Sequence, residues 1–451
     1  MLKGRGGHGV WAAWCFIGSL AALAACAPPA SEEDALTGTR EDAVVDIASI
    51  DPARELFITH VSAVDDTFYT SWAPGKTNTD PEGGWSFGRL IDNMVPEQGR
   101  TDWGRSQFVL HWLRSWEQNQ TVNGQLIPAR PLVRPLIIEP WRAASGCTGG
   151  DERCVLDFSK APFRLLAIVY RPDLRRVPTL TDPGHAGQGR FVFGVLGANQ
   201  TRLPFTVIFE YKLPISSKSG ILAWAERWHA LGGMSFGKAY NDKLHNVTRE
   251  FTRRGADPRG VNGSALLQIR TNEVPLSPVV NPKEWEMREF VLGQYGVLWP
   301  DTVKQEVSAS LNGTPVLGAW VSANATAILA GQHVVPRSFA GQPFLAASAP
   351  VPETLAWQVP GVPEEVRHEF AKATCSGCHK PETGTNFMHV RTREAGNASL
   401  LSDFLAQELR PGGPRVTDFH ELLNTQGDLT KVKDGKGKDH KDKKHGEDGG
   451  D

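Results

Sequence analysis

Residues 163–169 read FRLLAIV, and two further apolar runs follow at residues 190–196 (RFVFGVL) and 205–211 (FTVIFEY). Each run is short and rich in aliphatic and aromatic residues, and Pro-Asp or Gly-rich segments lie between the runs, which is typical of β-strands. No helical connector separates them, so neighbouring strands are predicted to be antiparallel. The three runs therefore predict an antiparallel sheet.

Helices and further strands are predicted after these runs. Residues 220–231 and 236–253 have the pattern of two helices, and strand patterns resume at residues 265–273 and 285–292. Strands interspersed with packed helices in this way indicate an α+β body built on a mainly antiparallel sheet. A small helical segment is predicted near the C-terminus, where residues 397–409 have an amphipathic pattern.

An aromatic segment precedes the sheet. Phe108, Trp112 and Trp116 recur at four-residue intervals, which places them on one face of a helix. Trp residues on such a face bury a large area. We therefore expect these side chains in the core, in preference to a ligand-binding platform.

Polar residues alternate along two of the predicted strands. Gln268, Arg270 and Asn272 do so in the first, and Glu286 and Arg288 in the second. Such a face could be the floor of a substrate site or could face water. Because antiparallel sheets commonly have one solvated face, we expect it to face water.

The composition excludes two broad classes of protein. The chain has 451 residues, of which 40% are hydrophobic and 22% charged, so it is globular and long enough for two or three cores. The formal net charge is −2, and no basic patch suited to nucleic acid is indicated. A nucleic-acid partner is therefore not expected.

The N-terminus has the pattern of an export signal. Lys3 and Arg5 precede an uncharged apolar stretch that ends in small residues before Cys26. An ordinary cleaved signal or a membrane span are alternatives, but Pro28 follows too soon for a span of about 20 apolar residues. The sequence Leu-Ala-Ala-Cys resembles the lipobox of bacterial lipoproteins, and the resemblance implies cleavage before Cys26, acylation of its thiol, palmitate included, and anchoring in the outer membrane.

Composition divides the chain into five predicted segments. They are a signal peptide at 1–25, a flexible tether at 26–50, the α+β body at 51–360, a helical segment at 361–425 and a disordered charged tail at 426–451. The tether is rich in Ala, Pro, Ser and acidic residues, and the tail is dominated by Lys and acidic residues.

The C-terminal segment contains the strongest chemical motif. Residues 374–380 read TCSGCHK, a Cys-x-x-Cys-His sequence of the kind that attaches a c-type haem. One helical turn presents the thiols of Cys375 and Cys378 to one porphyrin edge, and His379 becomes the proximal iron ligand. A redox or structural Cys-x-x-Cys, half of a zinc site, or coincidence are the alternatives.

Two residues beyond the motif are candidates for the sixth position on the iron. Met388 and His389 lie nine and ten residues after His379. A thioether or a neutral imidazole would each complete low-spin iron. With His389 as distal ligand, the metal ligands are His379 and His389. Alternatively, Met388 packs with Phe387 and His389 faces solvent.

The remaining cysteines fit an exported protein. Cys147 and Cys154 are seven residues apart in a polar loop with Gly149 and Gly150 between them. In an oxidising compartment two such thiols would most simply form a disulfide. We therefore predict a bond between Cys147 and Cys154.

A possible nucleophile motif has a simpler interpretation. Residues 233–237 read GMSFG, which matches the Gly-x-Ser-x-Gly elbow of hydrolases. The preceding segment has a helical pattern where the elbow requires a strand. We therefore expect Gly232 and Gly233 to end one helix and Ser235 to cap the next.

Two resemblances accompany these motifs. The helix, the Cys-x-x-Cys-His motif and the later apolar helix are similar to a cytochrome c element. Residues 161–169, 189–194, 205–211, 228–232 and 310–314 are similar to segments of a family of exported lipoproteins found in myxobacteria and related bacteria. That family closes with Thr-Cys-x-Gly-Cys-His, Glu-Thr and Phe-x-His, which favours His389 as distal ligand.

Together these patterns predict an outer-membrane-anchored lipoprotein that carries one covalent c-type haem. It would serve electron transfer or a small redox reaction, with the lipid bilayer and an unidentified redox protein as partners. The alternative is a non-catalytic surface binding or structural lipoprotein in which the Cys-x-x-Cys pair forms a disulfide or a metal site.

Overall fold

The structure is a computed structural model, and it describes residues 44–180, 183–273, 285–293, 295–351, 356–385, 388–425 and 427–435. From Val44 onward these residues form one compact unit. The predicted signal peptide, the Cys26 lipidation site, Phe387 and most of the charged tail lie outside the described residues.

Twelve strands are present in the described ranges. They are β1 (Phe57–Ile58), β2 (Gln120–Val122), β3 (Gln125–Ile127), β4 (Phe163–Arg171), β5 (Gln188–Leu196), β6 (Arg202–Lys212), β7 (Leu266–Glu273), β8 (Trp285–Leu292), β9 (Leu298–Asp301), β10 (Ser338–Phe339), β11 (Gln342–Pro343) and β12 (Ala349–Val351). Eight of them form one sheet in the order β1-β4-β5-β6-β7-β8-β12, with β9 also paired to β8. The pairings are antiparallel.

Fourteen α-helices are described around the sheet. They are α1 (Pro52–Glu55), α2 (Val61–Val64), α3 (Thr67–Thr70), α4 (Phe87–Met94), α5 (Asp102–Arg114), α6 (Glu139–Ala144), α7 (Lys218–Gly232), α8 (Lys238–Thr252), α9 (Pro315–Ala323), α10 (Ala325–Leu329), α11 (Glu364–Ala373), α12 (Cys375–Cys378), α13 (Asp403–Glu408) and α14 (Pro414–Leu423). Within the described part of the chain, no helix has the length and apolarity needed to cross a membrane.

The sheet confirms the predicted α+β class. The three apolar runs are β4, β5 and β6, three adjacent strands of the sheet. Register pairs Phe191 of β5 with Phe209 of β6, and Phe193 with Val207, so aromatic and β-branched side chains are neighbours on one face. The observed strands extend two to four residues beyond the predicted runs.

The aromatic face of the sheet is the main core. Phe108, Trp112 and Trp116 are buried, as the helical spacing predicts. Thr101 caps α5 by accepting a hydrogen bond from the Gly104 amide, so the helix begins at Asp102. With this start, the aromatic face of α5 packs over the sheet. Trp116 also donates from its indole Nε1 to Glu273 on β7, at 3.1 Å. The core interpretation is confirmed.

The polar residues of β7 and β8 do not face water. Gln268 and Asn272 are buried and line a cavity with Arg270. Glu286 and Arg288 point to the opposite, aromatic face, where they form a buried ion network with Arg130 and Glu273. In this network Arg288 Nε lies 3.4 Å from a Glu273 oxygen. The prediction of one solvated face was wrong because later segments cover it.

Two predicted local boundaries differ in the structure. The segment at 397–409 is helical over Asp403–Glu408 only, and Leu400 is exposed. Helix α7 ends at Gly232, as predicted, but α8 begins at Lys238 with Gly237 as its N-cap residue, so Ser235 is not the cap. Gly237 has a φ of 147°, a conformation that glycine adopts more readily than serine.

The predicted tether and tail boundaries are also corrected. Val45 accepts a hydrogen bond from His420 of α14 at 2.9 Å, so the chain is fixed to the body before residue 50. Residues 427–435 lie against the body, because Arg175 donates to the Lys433 carbonyl and Asp434 accepts from the Val177 amide. The segment predicted at 361–425 belongs to the same compact unit.

Candidate functional site

The Cys-x-x-Cys turn is a short helix that follows α11. Its N-cap is Thr374, whose hydroxyl accepts a hydrogen bond from the Gly377 amide at 2.9 Å and donates to the Ala371 carbonyl. A Cβ atom at position 377 would lie 2.0 Å from that carbonyl oxygen. The glycine between the two cysteines is therefore required by the close approach of α11.

Buried groups beneath the turn hold it in place. Trp357 donates from Nε1 to the hydroxyls of Thr374 and Ser376, at 3.1 and 2.9 Å. The Glu306 carboxylate accepts from the Ser376 hydroxyl at 2.6 Å and from its amide at 3.1 Å. Burial raises the pKa of Glu306 to about 7, although hydrogen bonds from Ser376 and Cys375 oppose the rise.

Both cysteines of the turn line one cavity. Cys375 and Cys378 are not joined in a disulfide and are 8% and 6% exposed. His379, Met388 and His389 line the same cavity. The structure therefore brings together the residues that the sequence predicted as attachment site, proximal ligand and distal candidates.

The two histidines are in direct contact. The ring centres of His379 and His389 are 4.2 Å apart. His389 Nδ1 lies 2.8 Å from the Ser402 hydroxyl, and its Nε2 lies 3.5 Å from the Cys378 sulfur. Ser402 orients the ring, which leaves Nε2 directed toward the cysteine turn. Met388 is 5% exposed and also lines the cavity.

The cavity has a volume of about 890 Å³. This is within the range of about 300–1,000 Å³ that small-molecule and cofactor sites occupy. Its floor is the polar face of β4 to β8. Its walls are formed by α12, the chain around His389, residues 301–305, residues 331–335 and α14. Its floor side chains include Val192, Thr206, Ile208, Glu210, Arg190, Gln268, Arg270, Asn272 and Met287.

Electrostatic contacts join the floor to the cysteine turn. Arg270 is close enough to Cys375 for the two to interact electrostatically. Burial by itself lowers the pKa of Arg270, but Glu210, Glu289 and Cys375 together raise it well above its ordinary value. Arg270 is therefore a fixed cation facing the turn.

His333 is a site residue that the sequence analysis missed. It is 5% exposed, lines the cavity, and neither ring nitrogen has a hydrogen-bond partner among the described residues. Burial lowers its pKa to about 4, so the imidazole is neutral at physiological pH. A buried group of this kind costs free energy unless a ligand satisfies it. The sequence contains one indication of its role, because His333 is one of few ionisable residues in an apolar stretch of the chain.

The donor set and the cavity volume fit a covalently held porphyrin if the ring of His389 moves away from that of His379. Two thiols in one turn and an adjacent imidazole face a cofactor-sized cavity. Metal–nitrogen bonds of about 2.0–2.1 Å on both sides of an iron place two ring centres roughly 6 Å apart. The His379–His389 separation of 4.2 Å is shorter, so His389 must move outward to be a ligand.

Away from the cavity, Cys147 and Cys154 form the predicted disulfide, with their Cα atoms 5.2 Å apart. On helix α11, Phe370 is buried in a satellite core against Trp320 and Trp357. In the described ranges no group of three or more His, Cys, Asp or Glu side chains is arranged to hold a metal ion by itself.

Comparison with known protein families, with curated proteins and with solved structures finds no match to this chain. The function is therefore inferred from the geometry of the cavity and the chemistry of its lining.

Proposed function

We propose that the protein holds one covalent c-type haem in this cavity and uses it for electron transfer or a small redox reaction. The observation that supports the proposal is that both thiols of the turn and the adjacent imidazole open on one cofactor-sized cavity. A bound haem would supply one-electron chemistry.

The chain's own residues would have distinct tasks. Cys375 and Cys378 would form thioether bonds, and His379 would bind the iron. Trp357 and Glu306 fix the backbone of the turn through buried hydrogen bonds, which keeps the three attachment groups in register. Groups around the metal ligands set orientation and potential.

His389 is the proposed sixth ligand. Its Nδ1 contact with Ser402 leaves Nε2 toward the turn, and its ring is next to His379. Met388 is the alternative. We further propose an anchor at Cys26 in the outer membrane, on the basis of the lipobox-like sequence.

The test of attachment uses the full chain produced in a host with c-type haem maturation. Denatured protein is expected to retain haem absorbance on the polypeptide. Changing Cys375 and Cys378 to Ala should abolish it, whereas the matched Ala change at Cys147 and Cys154 should leave it intact. A colourless wild-type protein from this host would overturn the haem proposal.

The test of the sixth ligand is spectroscopic. His389→Ala should convert a low-spin spectrum to a high-spin one, because an axial nitrogen is lost. Met388→Leu should leave the spectrum unchanged. The reverse pattern would assign the thioether as the ligand.

A second candidate function is a binding or structural lipoprotein with a reversible Cys375–Cys378 disulfide. The observation that favours it is the 3.5 Å approach of His389 Nε2 to the Cys378 sulfur. A neighbouring imidazole favours a thiolate, and thiolates perform disulfide exchange. Colourless protein whose two thiols are oxidised and reduced reversibly would support this candidate.

A further inference from the structure

Cations are concentrated on the cavity floor. Four arginines line the cavity there, and we call them the arginine floor: Arg171, Arg190, Arg270 and Arg415. Arg171 and Arg190 are on the adjacent strands β4 and β5, Arg270 is on β7, and Arg415 comes from α14. Guanidinium groups are the side chains best suited to bind carboxylates, because they donate two parallel hydrogen bonds.

Three of these arginines have a carboxylate partner of their own. Arg171 donates to Asp173 from Nε and Nη2, at 2.7 and 2.6 Å. Arg270 donates to Glu289, and Arg415 donates from Nε to Glu408 at 3.2 Å. These three pairs are neutral overall.

Arg190 shares its carboxylate. Its Nη1 lies 3.1 Å from Glu210 Oε1, and Arg270 Nη1 lies 3.6 Å from the same oxygen. The other Glu210 oxygen accepts from Gln268, whose carbonyl oxygen contacts the ammonium of Lys304. One buried carboxylate is thus the centre of three cations.

The four arginines and the four carboxylates of this group, Asp173, Glu210, Glu289 and Glu408, balance in charge. Lys304 adds a fifth cation at an exposed position beside Gln268. The cavity side of the group therefore carries a net positive charge that favours an anionic ligand.

Arg190 is the one member of the arginine floor that has no carboxylate of its own among the described residues. Burial lowers its pKa to about 9, Glu210 opposes the change, and repulsion from Arg171, Arg270 and Arg415 adds to it. A guanidinium has five N–H donors, and contacts to Gln188 and Glu210 engage at most three of them. Two donors therefore remain for a ligand in the cavity.

We propose that Arg190 and Arg270 form an anion subsite on the cavity floor that binds a carboxylate group. The carboxylate could belong to a propionate of the haem in the same cavity or to a separate small carboxylate substrate. The first source rests on the proposed haem function, whereas the anion subsite rests on the charge and geometry of the floor alone.

The first experiment is a double-mutant cycle between ligand and protein. The full chain with Cys375→Ala and Cys378→Ala is titrated with protoporphyrin IX and with its dimethyl ester, which lacks ionised carboxylates, and quenching of tryptophan fluorescence is measured. Arg190→Gln is expected to weaken binding of the acid roughly tenfold or more, the effect of a lost charge-assisted pair, and to leave the ester within about twofold.

Two variants control the comparison. Arg153→Gln makes the same change at a side chain that is 79% exposed and should change neither affinity. Lys304→Gln removes a cation of the same group at an exposed position and should weaken binding of the porphyrin acid several-fold. This variant tests the subsite even if the Arg190 variant does not fold. The proposal would be overturned if each variant changed the affinity for the acid and the affinity for the ester equally, or if neither variant changed either affinity.

A second experiment separates the two sources of carboxylate. Wild-type protein is titrated calorimetrically with succinate. If neither porphyrin binds, saturable succinate binding that Arg190→Gln abolishes still supports the subsite, and the haem proposal is decided separately by the haem absorbance of the wild-type protein. If the porphyrin acid binds and succinate does not, the propionate is the ligand. Absence of binding by both porphyrins and by succinate would overturn the subsite itself.

Discussion

Replacing Glu306 by Gln tests whether ionisation of the buried carboxyl beneath the cysteine turn lowers the free energy of unfolding. Glu306 is 1% exposed, and its pKa in the folded protein is raised from 4.5 to about 7. The folded state therefore binds this proton more tightly than the unfolded chain. The stability that results is fully present below pH 4.5 and is lost as pH rises through 7.

The magnitude follows from the pKa difference. A pKa raised from 4.5 to about 7 corresponds to roughly 3 kcal/mol in total. Most of that change falls between pH 5 and pH 8, where linkage gives about 2–3 kcal/mol. Gln cannot ionise, so the variant escapes this loss. Relative to wild type, Glu306→Gln should gain about 2–3 kcal/mol between pH 5 and pH 8.

The assay is urea unfolding of both chains at the two pH values in the same haem state, because the contributions of other titrating groups cancel in the difference. Glu226→Gln, at an exposed position of α7, is the matched control and should show no such pH dependence. A stability difference between wild type and Glu306→Gln that is equal at pH 5 and pH 8 would refute the reasoning.

Four further outcomes are expected. Ala at both Cys147 and Cys154 should lower the free energy of unfolding by about 2–3 kcal/mol, from the loop they close, and unreduced peptide mapping should show the intact bond. Trp116→Phe should cost about 2–4 kcal/mol in denaturant unfolding, because a buried indole and its hydrogen bond are lost. His333→Phe should change stability of the haem-less chain by less than about 1 kcal/mol, since no described hydrogen bond is removed; a larger loss would contradict its assigned environment. Cys26→Ser should move the protein from membranes to the soluble fraction, and unchanged retention would require another anchor.

Strand and core predictions succeeded where a local pattern determines burial. The runs that became β4 to β6 are apolar at nearly every position, so they must be covered on both faces whatever surrounds them. Trp112 and Trp116 are large enough that exposure on a helix face would be costly. The disulfide was predictable because two thiols in one short loop have few other partners.

The cavity was not predictable, because its walls come from distant segments. Alternating polar residues such as Gln268 and Arg270 fit a solvated face or a cavity floor equally well, and only packing of the C-terminal segment over the sheet decides between them. Glu306 and His333 lie in irregular segments, where no periodic pattern assigns an orientation. The motif itself was visible, since its residues are adjacent in sequence.

The attachment of Val45 to α14 fixes the point from which any N-terminal anchor would be measured. Val45 is hydrogen-bonded to His420 and Asn424, and the same helix carries Arg415 into the cavity wall. From the proposed lipidation site at Cys26 to Val45 is 19 residues, a contour length of at most about 65 Å. If Cys26 is acylated as proposed, Val45 would lie no further than this from the bilayer, and a redox partner of the proposed haem would have to meet the body within that reach.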